Sequence, residues 1–298
     1  MKFGILDFGI HHNDSNSMST ISEIIELVQY CEEIGIDRYW LTEHHWDGLS
    51  WRNPEIIIAL LAGHTEKIKI GVAGVLLTLT APLRVANDYK LLANLFPGRI
   101  DLGFAKGLTS AEKCLELAGP NYRAKHDDFN GRILKVGQML LNELPSVTTL
   151  TYDDNTVPSM WVLGAGFGNF DFAQQNNFGF VLSLFHIPDD APNFELNDET
   201  IEALKLKLQG KRGLCISISV FCSDNPEHLE EMRIFRGGSA LNIVGPQEEV
   251  IRLLKKMETE LEIKELIIYN LGRNFNEKKF LLTALQKHFL ISEPEYHT

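Results

Sequence analysis

The chain has 298 residues, 44% of them hydrophobic, which is enough to bury a sizeable core in one large domain or two ordinary ones. Acidic residues outnumber basic ones, 40 against 28, and no Lys/Arg cluster follows the pattern of a phosphate-backbone binder, so a nucleic-acid partner is not expected. Neither a signal peptide nor a membrane helix is predicted, and the four dispersed cysteines suggest no disulfide framework and no zinc site. We therefore expect a cytoplasmic protein without a membrane partner.

Strand and helix patterns alternate along the chain. The first strand is predicted at 3–8, and the spacing Thr20 to Glu23 predicts a capping box for a helix that ends before Gly35. Further strands are predicted at 38–42, 68–75, 99–105, 160–163, 179–184, 214–221 and 265–269, and further helices at 54–64, 82–96, 125–141, 168–176, 225–235, 246–261 and 277–288.

Eight strands with helices between them favour a (β/α)8 TIM barrel over a doubly wound sheet. We expect one such domain over residues 1–298. Two segments are predicted to be irregular: 188–213, which is rich in proline and acidic residues, and the hairpin-like 147–156.

In such a barrel the site lies where the strands end. The stretch WLTEHHW places Glu43, His44 and His45 after the second strand. Because side chains alternate along an extended segment, His44 and His45 cannot both face one site, and the pattern does not say which one does. His11, His12 and Asn13 follow the first strand and His186 follows the sixth, positions that suit the protein surface as well as a site.

A glycine-rich turn follows the fifth predicted strand. Its backbone N–H groups, with Lys106 after the fourth strand, suit a phosphate. A dinucleotide fingerprint is disfavoured because no acidic residue closes the next strand, and glycines that only permit a tight turn remain an alternative. The candidate cofactor-binding residues of this turn are Gly164, Ala165, Gly166, Gly168 and Asn169.

Three segments together resemble the bacterial luciferase-like flavin monooxygenases, which share a (β/α)8 barrel. They are YWLTEHHW, the long run IKIGVAGVLLTLTAPLRVANDYKLLANLFPGRIDLGFAKG and VPSMWVLGAGFGNFDFA. The long run is the most specific of the three. The resemblance covers residues 1–185 and returns at IVGPQEEVIRLLKKM.

The resemblance implies roles for several residues. His44 matches a histidine that acts as an acid/base near the flavin ring, with Glu43 or His45 orienting it. Ala73 and Gly74 match the family's non-prolyl cis peptide under that ring. Lys106 stands where many members have a phosphate-binding arginine, so it keeps the charge and loses the bidentate fork.

The implied function is a two-component monooxygenase that uses reduced FMN from a separate flavin reductase and O2 on a small organic substrate. Alternatives are an F420-dependent hydride-transfer enzyme and a non-catalytic flavin-binding or heterodimer-partner protein. Family members carry a long insertion over the site where this chain has only 225–242, so the lid is expected to be short. A homodimer, or a heterodimer with a related barrel, is implied through the second and third helices.

Overall fold

Eight parallel strands close into a ring at the centre of the molecule. The computed structural model describes residues 1–11, 16–144, 156–186, 195–234 and 241–290. The ring runs in the order β1, β2, β3, β4, β5, β6, β7 and β9, and β9 pairs with β1 to close it. This confirms the predicted barrel. The strands are β1 Lys2–Asp7, β2 Arg38–Leu41, β3 Lys69–Leu76, β4 Ile100–Ala105, β5 Ser159–Gly164, β6 Gly179–Ser183, β7 Cys215–Cys222, β8 Ile243–Gly245 and β9 Glu265–Asn270.

Helices surround the ring and bury their apolar faces against its outer side. They are α1 Ser17–Glu33, α2 Pro54–Gly63, α3 Pro82–Leu95, α4 Ala111–Ala118, α5 Tyr122–Asp127, α6 Phe129–Leu140, α7 Phe170–Gln175, α8 Asp198–Leu208, α9 Pro226–Ile234, α10 Gln247–Glu260 and α11 Phe275–Leu285. The largest buried cluster lies between these helices and the strands. Because the ring strands are parallel, with helices in the connections between them, the carboxyl ends of all eight strands lie at one end of the barrel.

The start of α1 differs from its predicted position. Asn16 is the N-cap: its side chain accepts from the Ser19 N–H, and the Ser19 hydroxyl oxygen accepts from the Asn16 N–H. The capping box thus lies one turn before Thr20. The predicted end is confirmed, because the helix stops at Glu33 and Gly35 has a φ of +86°, which favours glycine.

Two further predictions of elements were wrong, and the start of a third element was misplaced. The helix predicted at 125–141 is two helices, α5 and α6, and α4 before them was missed. The segment predicted to be irregular, 188–213, contains α8, which Asn197 caps through a capping box with Thr200. The helix predicted at 168–176 begins only at Phe170, after a 3₁₀ turn at Phe167–Asn169. The hairpin-like segment lies outside the described residues, except for Thr156.

The strand β8, which the sequence pattern did not predict, pairs with the same edge of β7 as β6 does. β6 pairs with the first three residues of β7, Cys215 to Ser217, and β8 pairs with the last three, Val220 to Cys222. Between them the Asn242 side chain accepts from Ser219 N–H at 2.9 Å and donates to the Leu184 carbonyl at 3.1 Å. Asn242 is fully buried. A side-chain amide therefore completes the hydrogen bonding where neither strand reaches β7.

Charged residues fill the barrel interior near the amino ends of the strands. Arg38 donates to Asp101 at 2.5 Å and to Glu265 at 2.6 Å. The indole N–H groups of Trp40 and Trp161 also donate to Asp101, at 2.9 and 3.2 Å. We call this group, Arg38, Trp40, Asp101, Trp161 and Glu265, the floor cluster. Its ionic groups are paired with one another, which is the condition for burying charge at tolerable cost.

The four cysteines lie in the interior of the protein. Cys31, Cys114, Cys215 and Cys222 are free and buried. Within the described ranges, no group of three or more His, Cys, Asp or Glu side chains could hold a metal ion. None of the helices there combines the length and the apolar character needed to cross a bilayer.

Candidate functional site

A cavity of about 280 Å³ opens where the ring strands end. Residues from all eight ring strands or the loops after them line it, so it lies on the barrel axis above the floor cluster. Most of its wall is apolar. Of the predicted site residues, it brings together Glu43, His44, Ala73, Gly74, Lys106, Gly164 and Ala165. His45, Gly166, Gly168 and Asn169 do not line it.

His44 is the histidine of the pair that faces the cavity. Its ring stacks on Phe8, with centroids 4.9 Å apart and planes 9° apart, and contacts Trp46 at 4.0 Å. Burial lowers the pKa of His44 to about 3, and repulsion from His186 and His45 adds to this. The side chain is therefore a neutral imidazole at ordinary pH, held by aromatic rings.

Glu43 and His45 form a pair of their own. One Glu43 carboxylate oxygen lies 3.0 Å from His45 Nε2, and the other accepts from Leu76 N–H at 2.8 Å. Lys113 from α4 donates to the His45 carbonyl at 2.5 Å. We expected Glu43 or His45 to orient His44 directly. The His44 ring instead contacts the aromatic rings of Phe8 and Trp46, so the Glu43–His45 pair holds the loop between β2 and α2 and acts on the His44 ring through the backbone.

The strand β3 carries a cis peptide bond between Ala73 and Gly74, as the resemblance implied. Both residues line the cavity. A Cβ on Gly74 would lie 2.8 Å from the backbone of Gly103 and Phe104, so β3 and β4 approach each other too closely there for any side chain. The peptide therefore presents bare backbone to the cavity.

Lys106 is the only cationic side chain among the described residues that line the cavity. It follows β4, is exposed, and no hydrogen bond or ion pair joins it to another described residue. Its charge is thus free to meet an anion.

The glycine-rich turn lies beside Lys106 at the end of β5. Gly164 and Ala165 line the cavity, and the chain then passes through the 3₁₀ turn Phe167–Asn169. A Cβ added at Gly166 or Gly168 would meet no atom within 4 Å. The backbone of this turn is therefore open to a bound group, although only its first half reaches the cavity.

The sequence analysis placed His186 at the end of the sixth strand but did not name the hydroxyl groups of Ser183 and Ser217. All three side chains line the cavity, and the Ser183 hydroxyl lies 2.7 Å from His186 Nδ1. The predicted barrel already placed the ends of β6 and β7 at one site, but two serines in apolar strands gave no further signal. His11 makes a backbone hydrogen bond to Gly48 and is not among the residues lining the cavity, while His12 and Asn13 lie outside the described residues.

Comparison with known proteins decides the family. A family model described as luciferase-like monooxygenase matches residues 1–298. The chain belongs to this family. The luciferase-like monooxygenases are oxidoreductases, so the prediction of an enzyme of that class is confirmed.

Several relatives match large parts of this luciferase-like chain. An uncharacterised protein of Bacillus subtilis strain 168, YceB, is 30% identical over 244 residues, which cover 78% of this chain and 72% of the relative. Limonene 1,2-monooxygenase of Rhodococcus erythropolis is 35% identical over 133 residues, which cover 42% of this chain and 34% of the relative. A second uncharacterised protein of the same Bacillus strain, YwcH, is 27% identical over an alignment of 341 positions, which covers 97% of this chain and 99% of the relative. Since 341 exceeds the 298 residues of this chain, YwcH carries extra residues opposite gaps in it.

Solved structures share the fold. The apo form of MsnO8 superposes with a TM-score of 0.75 at 21% identity, covering 98% of both chains. The oxygenating constituent of 3,6-diketocamphane monooxygenase from Pseudomonas putida, in complex with FMN, gives a TM-score of 0.72 at 16% identity, covering 99% of both chains. At these identities the likeness shows the barrel alone.

The residues around the cavity fit a flavin nucleotide. Lys106, which no other described residue pairs, and the open backbone at Gly166 and Gly168 provide charge and N–H groups for a phosphate. The bare backbone at Ala73 and Gly74 and the apolar walls suit a flat aromatic ring.

Proposed function

We propose that this luciferase-like chain is an FMN-dependent monooxygenase that takes reduced FMN from a separate flavin reductase and uses O2 on a small organic substrate. The observation that carries the proposal is the division of one cavity. An unpaired cation and an open glycine-rich turn lie on its β4 and β5 side, and the neutral His44 comes from β2.

The β4 and β5 side would hold the phosphate. Lys106 would pair with it, and N–H groups of the turn from Gly164 to Asn169 would donate to its oxygens. Ala73 and Gly74 would lie against the flavin ring. Reduced FMN supplies the two electrons that activate O2, and the remaining work falls to the protein.

His44 would accept and return a proton beside the ring. A neutral imidazole has one donor and one acceptor nitrogen, so it can accept a proton on one nitrogen while it releases a proton from the other, and no lasting buried cation forms. The contacts with Phe8 and Trp46 would fix the ring and keep water away from that side of the cavity. Glu43 and His45 would act as positioning residues, because they hold the loop that carries His44.

We propose the reductase partner from the similarity of this chain to a solved monooxygenase component. The structural neighbour with FMN is named as the oxygenating constituent of a monooxygenase, which indicates a division of labour between proteins in that system. No nicotinamide-binding motif was found in this sequence, so reducing equivalents would come from outside the chain. A cytoplasmic location would place it beside such a reductase.

A dimer, either of two copies or with a related barrel, would use α2 and α3. These helices expose Ile56, Leu83, Leu91 and Leu95, and an apolar face of this kind is typical of a subunit contact. Sedimentation at micromolar concentration should give the mass of a dimer. A monomer over the whole accessible range would remove this part of the proposal.

The decisive experiment is an anaerobic titration of the purified protein with reduced FMN and, separately, with reduced F420, followed by admission of O2. We expect FMN to bind and the protein to change the rate at which the flavin is reoxidised. Binding of F420 alone would replace the proposal with hydride transfer. FMN that binds but is reoxidised at the rate of free flavin would point to a protein that does not control the reaction with oxygen.

Two variants test whether FMN binds and reacts in this cavity. Lys106→Met should weaken FMN binding about 10- to 100-fold, since a charge-assisted hydrogen bond contributes about 1.5–3 kcal/mol. Lys135→Met, which changes an exposed lysine of α6, is the matched control. His44→Gln should leave FMN affinity within about twofold and change the reoxidation rate. Equal FMN affinities of Lys106→Met and Lys135→Met would contradict the assigned phosphate site.

A further inference from the structure

A second cavity, of about 760 Å³, lies at the opposite end of the barrel from the candidate functional site. We call it the lower cavity, and the cavity that holds His44 the upper cavity. The first residues of β2, β3, β5 and β6 line the lower cavity, together with the last part of α6 and the turn that ends α7. Among the described residues, none lines both cavities. The amino ends of barrel strands usually serve stability rather than binding, so a cavity of this size there needs an explanation.

Arg38 of the floor cluster has hydrogen-bond donors left over for the lower cavity. Its Nε donates to Glu265 and its Nη1 to Asp101, and its guanidinium group lies over Trp161, 4.6 Å from the ring centroid. Its Nη2 donates to no described residue and is not among the fully buried polar atoms that lack a partner. The Arg38 side chain is only 6% exposed, and it lines the lower cavity. A nearly buried cation therefore offers N–H groups to this space.

Two lysines add their charges near Arg38. Lys69 is the register partner of Arg38 on β3, and it lies two residues before Gly71, where an added Cβ would lie 2.6 Å from the Asp101 Cβ inside the barrel. Because side chains alternate along a strand, Lys69 points to the same interior side. Lys264 comes directly before β9 and also lines the lower cavity. No hydrogen bond or ion pair joins either ammonium group to another described residue, so both charges are available to a ligand.

Acidic groups do not cancel these charges within the lower cavity. The exposed Glu143 is the one acid among its described lining residues, and it forms no ion pair with either lysine. Asp101 and Glu265 are engaged by Arg38, and neither of them lines the lower cavity. A ligand there therefore meets three cationic side chains and one carboxylate, which favours a negatively charged group.

The wall that α6 contributes to the lower cavity is apolar. Leu134 and Leu141 lie seven residues apart on one face of the helix, and they are 38% and 51% exposed despite their size. Gly137 lies between them on the same face and adds no side chain, and Met160 of β5 continues the wall. A ligand with an apolar body would cover these leucines, which otherwise face water.

We propose that the lower cavity binds a small organic anion, a compound with one carboxylate or phosphate head and an apolar body. The head would accept hydrogen bonds from Arg38 Nη2 and from the ammonium groups of Lys69 and Lys264. The body would pack on Leu134 and Leu141. None of these residues takes part in the proposed function, so the inference stands independently of it.

The test uses probes with a common benzene ring. Phenyl phosphate and benzoate carry the two anionic heads, benzyl alcohol is neutral, and inorganic phosphate lacks the apolar body. Their dissociation constants are measured by NMR on the full-length protein. The variants are Lys69→Met, Lys264→Met and Glu143→Gln, with Lys106→Met as the variant of the upper cavity. Lys135→Met, which changes an exposed lysine of α6 outside both cavities, is the control.

We expect the two aromatic anions to bind more tightly than benzyl alcohol and than inorganic phosphate. Lys69→Met should weaken their binding about 3- to 10-fold, the range of one hydrogen bond, and Lys264→Met about 2- to 3-fold, because Lys264 is more exposed to water. Glu143→Gln should tighten anion binding by up to about twofold, since it removes a like charge that water partly screens. Benzyl alcohol should bind all variants alike. Tighter binding of phenyl phosphate would support a phosphate head, and tighter binding of benzoate a carboxylate head.

Failure of both aromatic anions to bind, affinities no higher than that of benzyl alcohol, or equal effects of Lys69→Met and Lys135→Met would overturn the inference. Anion binding that Lys106→Met removes and Lys69→Met leaves intact would place the probes in the upper cavity and overturn it as well. Inorganic phosphate that binds as tightly as phenyl phosphate would contradict the packing of an apolar body on α6. Failure of FMN to bind the wild-type protein would overturn the proposed function alone.

Discussion

The two ends of the barrel interior treat charge in opposite ways. In the floor cluster, Arg38 lies against Asp101 and Glu265, and two indole N–H groups complete the hydrogen bonding of Asp101. At the other end, Lys106 has no partner among the described residues, and His44 is kept neutral by burial. One end pairs its charges with one another and serves stability, with one buried carboxylate oxygen of Glu265 accepting no hydrogen bond from a described residue. The other leaves hydrogen-bonding capacity unused, which is what a ligand requires.

The largest expected effect comes from breaking the floor cluster. Asp101→Asn leaves the Arg38 charge with Glu265 alone, and because Trp40 and Trp161 donate to different Asp101 oxygens, it places the amide NH2 group opposite one of the two indole donors. We expect a loss of about 3–5 kcal/mol in the free energy of unfolding, because removing one partner leaves a buried charge uncompensated. Chemical denaturation followed by circular dichroism measures it.

Asp198→Asn is the control for this substitution. Asp198 pairs with Arg252 at 2.9 Å, but both side chains are about half exposed. Its replacement should change stability very little, since exposed ion pairs are screened by water. A comparable loss in both variants would show that burial of the floor cluster is not what makes it matter.

The second effect is a dependence of stability on pH that His44 introduces. The pKa of His44 is about 3 in the folded protein, against about 6.5 for an ordinary histidine in the unfolded chain. As pH falls below 6.5 the unfolded chain takes up the proton first, so the folded state loses stability down to about pH 3. His44→Gln removes this pH dependence. Between pH 7 and pH 5, the free energy of unfolding of the variant should fall by about 2 kcal/mol less than that of the wild type.

Urea unfolding at the two pH values measures this difference. His64→Gln, which changes an exposed histidine, should follow the wild type. If His44→Gln also follows the wild type, the imidazole of His44 is more hydrated than its contacts with Phe8 and Trp46 indicate.

The smallest expected effect is that of Glu43→Gln, a substitution beside the cavity that tests both stability and FMN binding. The amide keeps an acceptor for Leu76 N–H but loses the charge, and charge-assisted hydrogen bonds are roughly twice as strong as neutral ones. We expect a loss of about 1 kcal/mol in stability and FMN affinity within about twofold. A large loss of FMN binding with little loss of stability would instead place Glu43 in direct contact with the cofactor.

The fold was largely predictable because its signals are local and repeated. Gly35 after α1 and Pro97-Gly98 after α3 mark helix ends directly, and the apolar strands recur at barrel spacing. The helix α8 was missed although Asn197 and Thr200 carry a capping signal, because nearby prolines and acidic residues dominated the composition. The strand β8 was missed because three residues are too few for a periodic pattern.

The candidate site was predictable in part for a different reason. Each strand end could be located, so the candidates on β2, β3, β4 and the start of the turn after β5 come together in one cavity. The path of the chain after β2 decides whether His44 or His45 faces the cavity. Contacts between segments that are distant in sequence decide which partner each histidine has. The hydrogen bond between Ser183 and His186 depends on how the chain leaves β6, which the sequence pattern does not show.

The shared edge of β7 leaves the connections on either side of this strand free to change in length. Since Asn242 and the three-residue β8 complete that edge, the ring needs no further backbone from the connections before and after β7. Those connections can lengthen or shorten without unpairing a ring strand. The barrel therefore has a place where a covering segment can be added or removed as a unit while all eight ring strands stay paired.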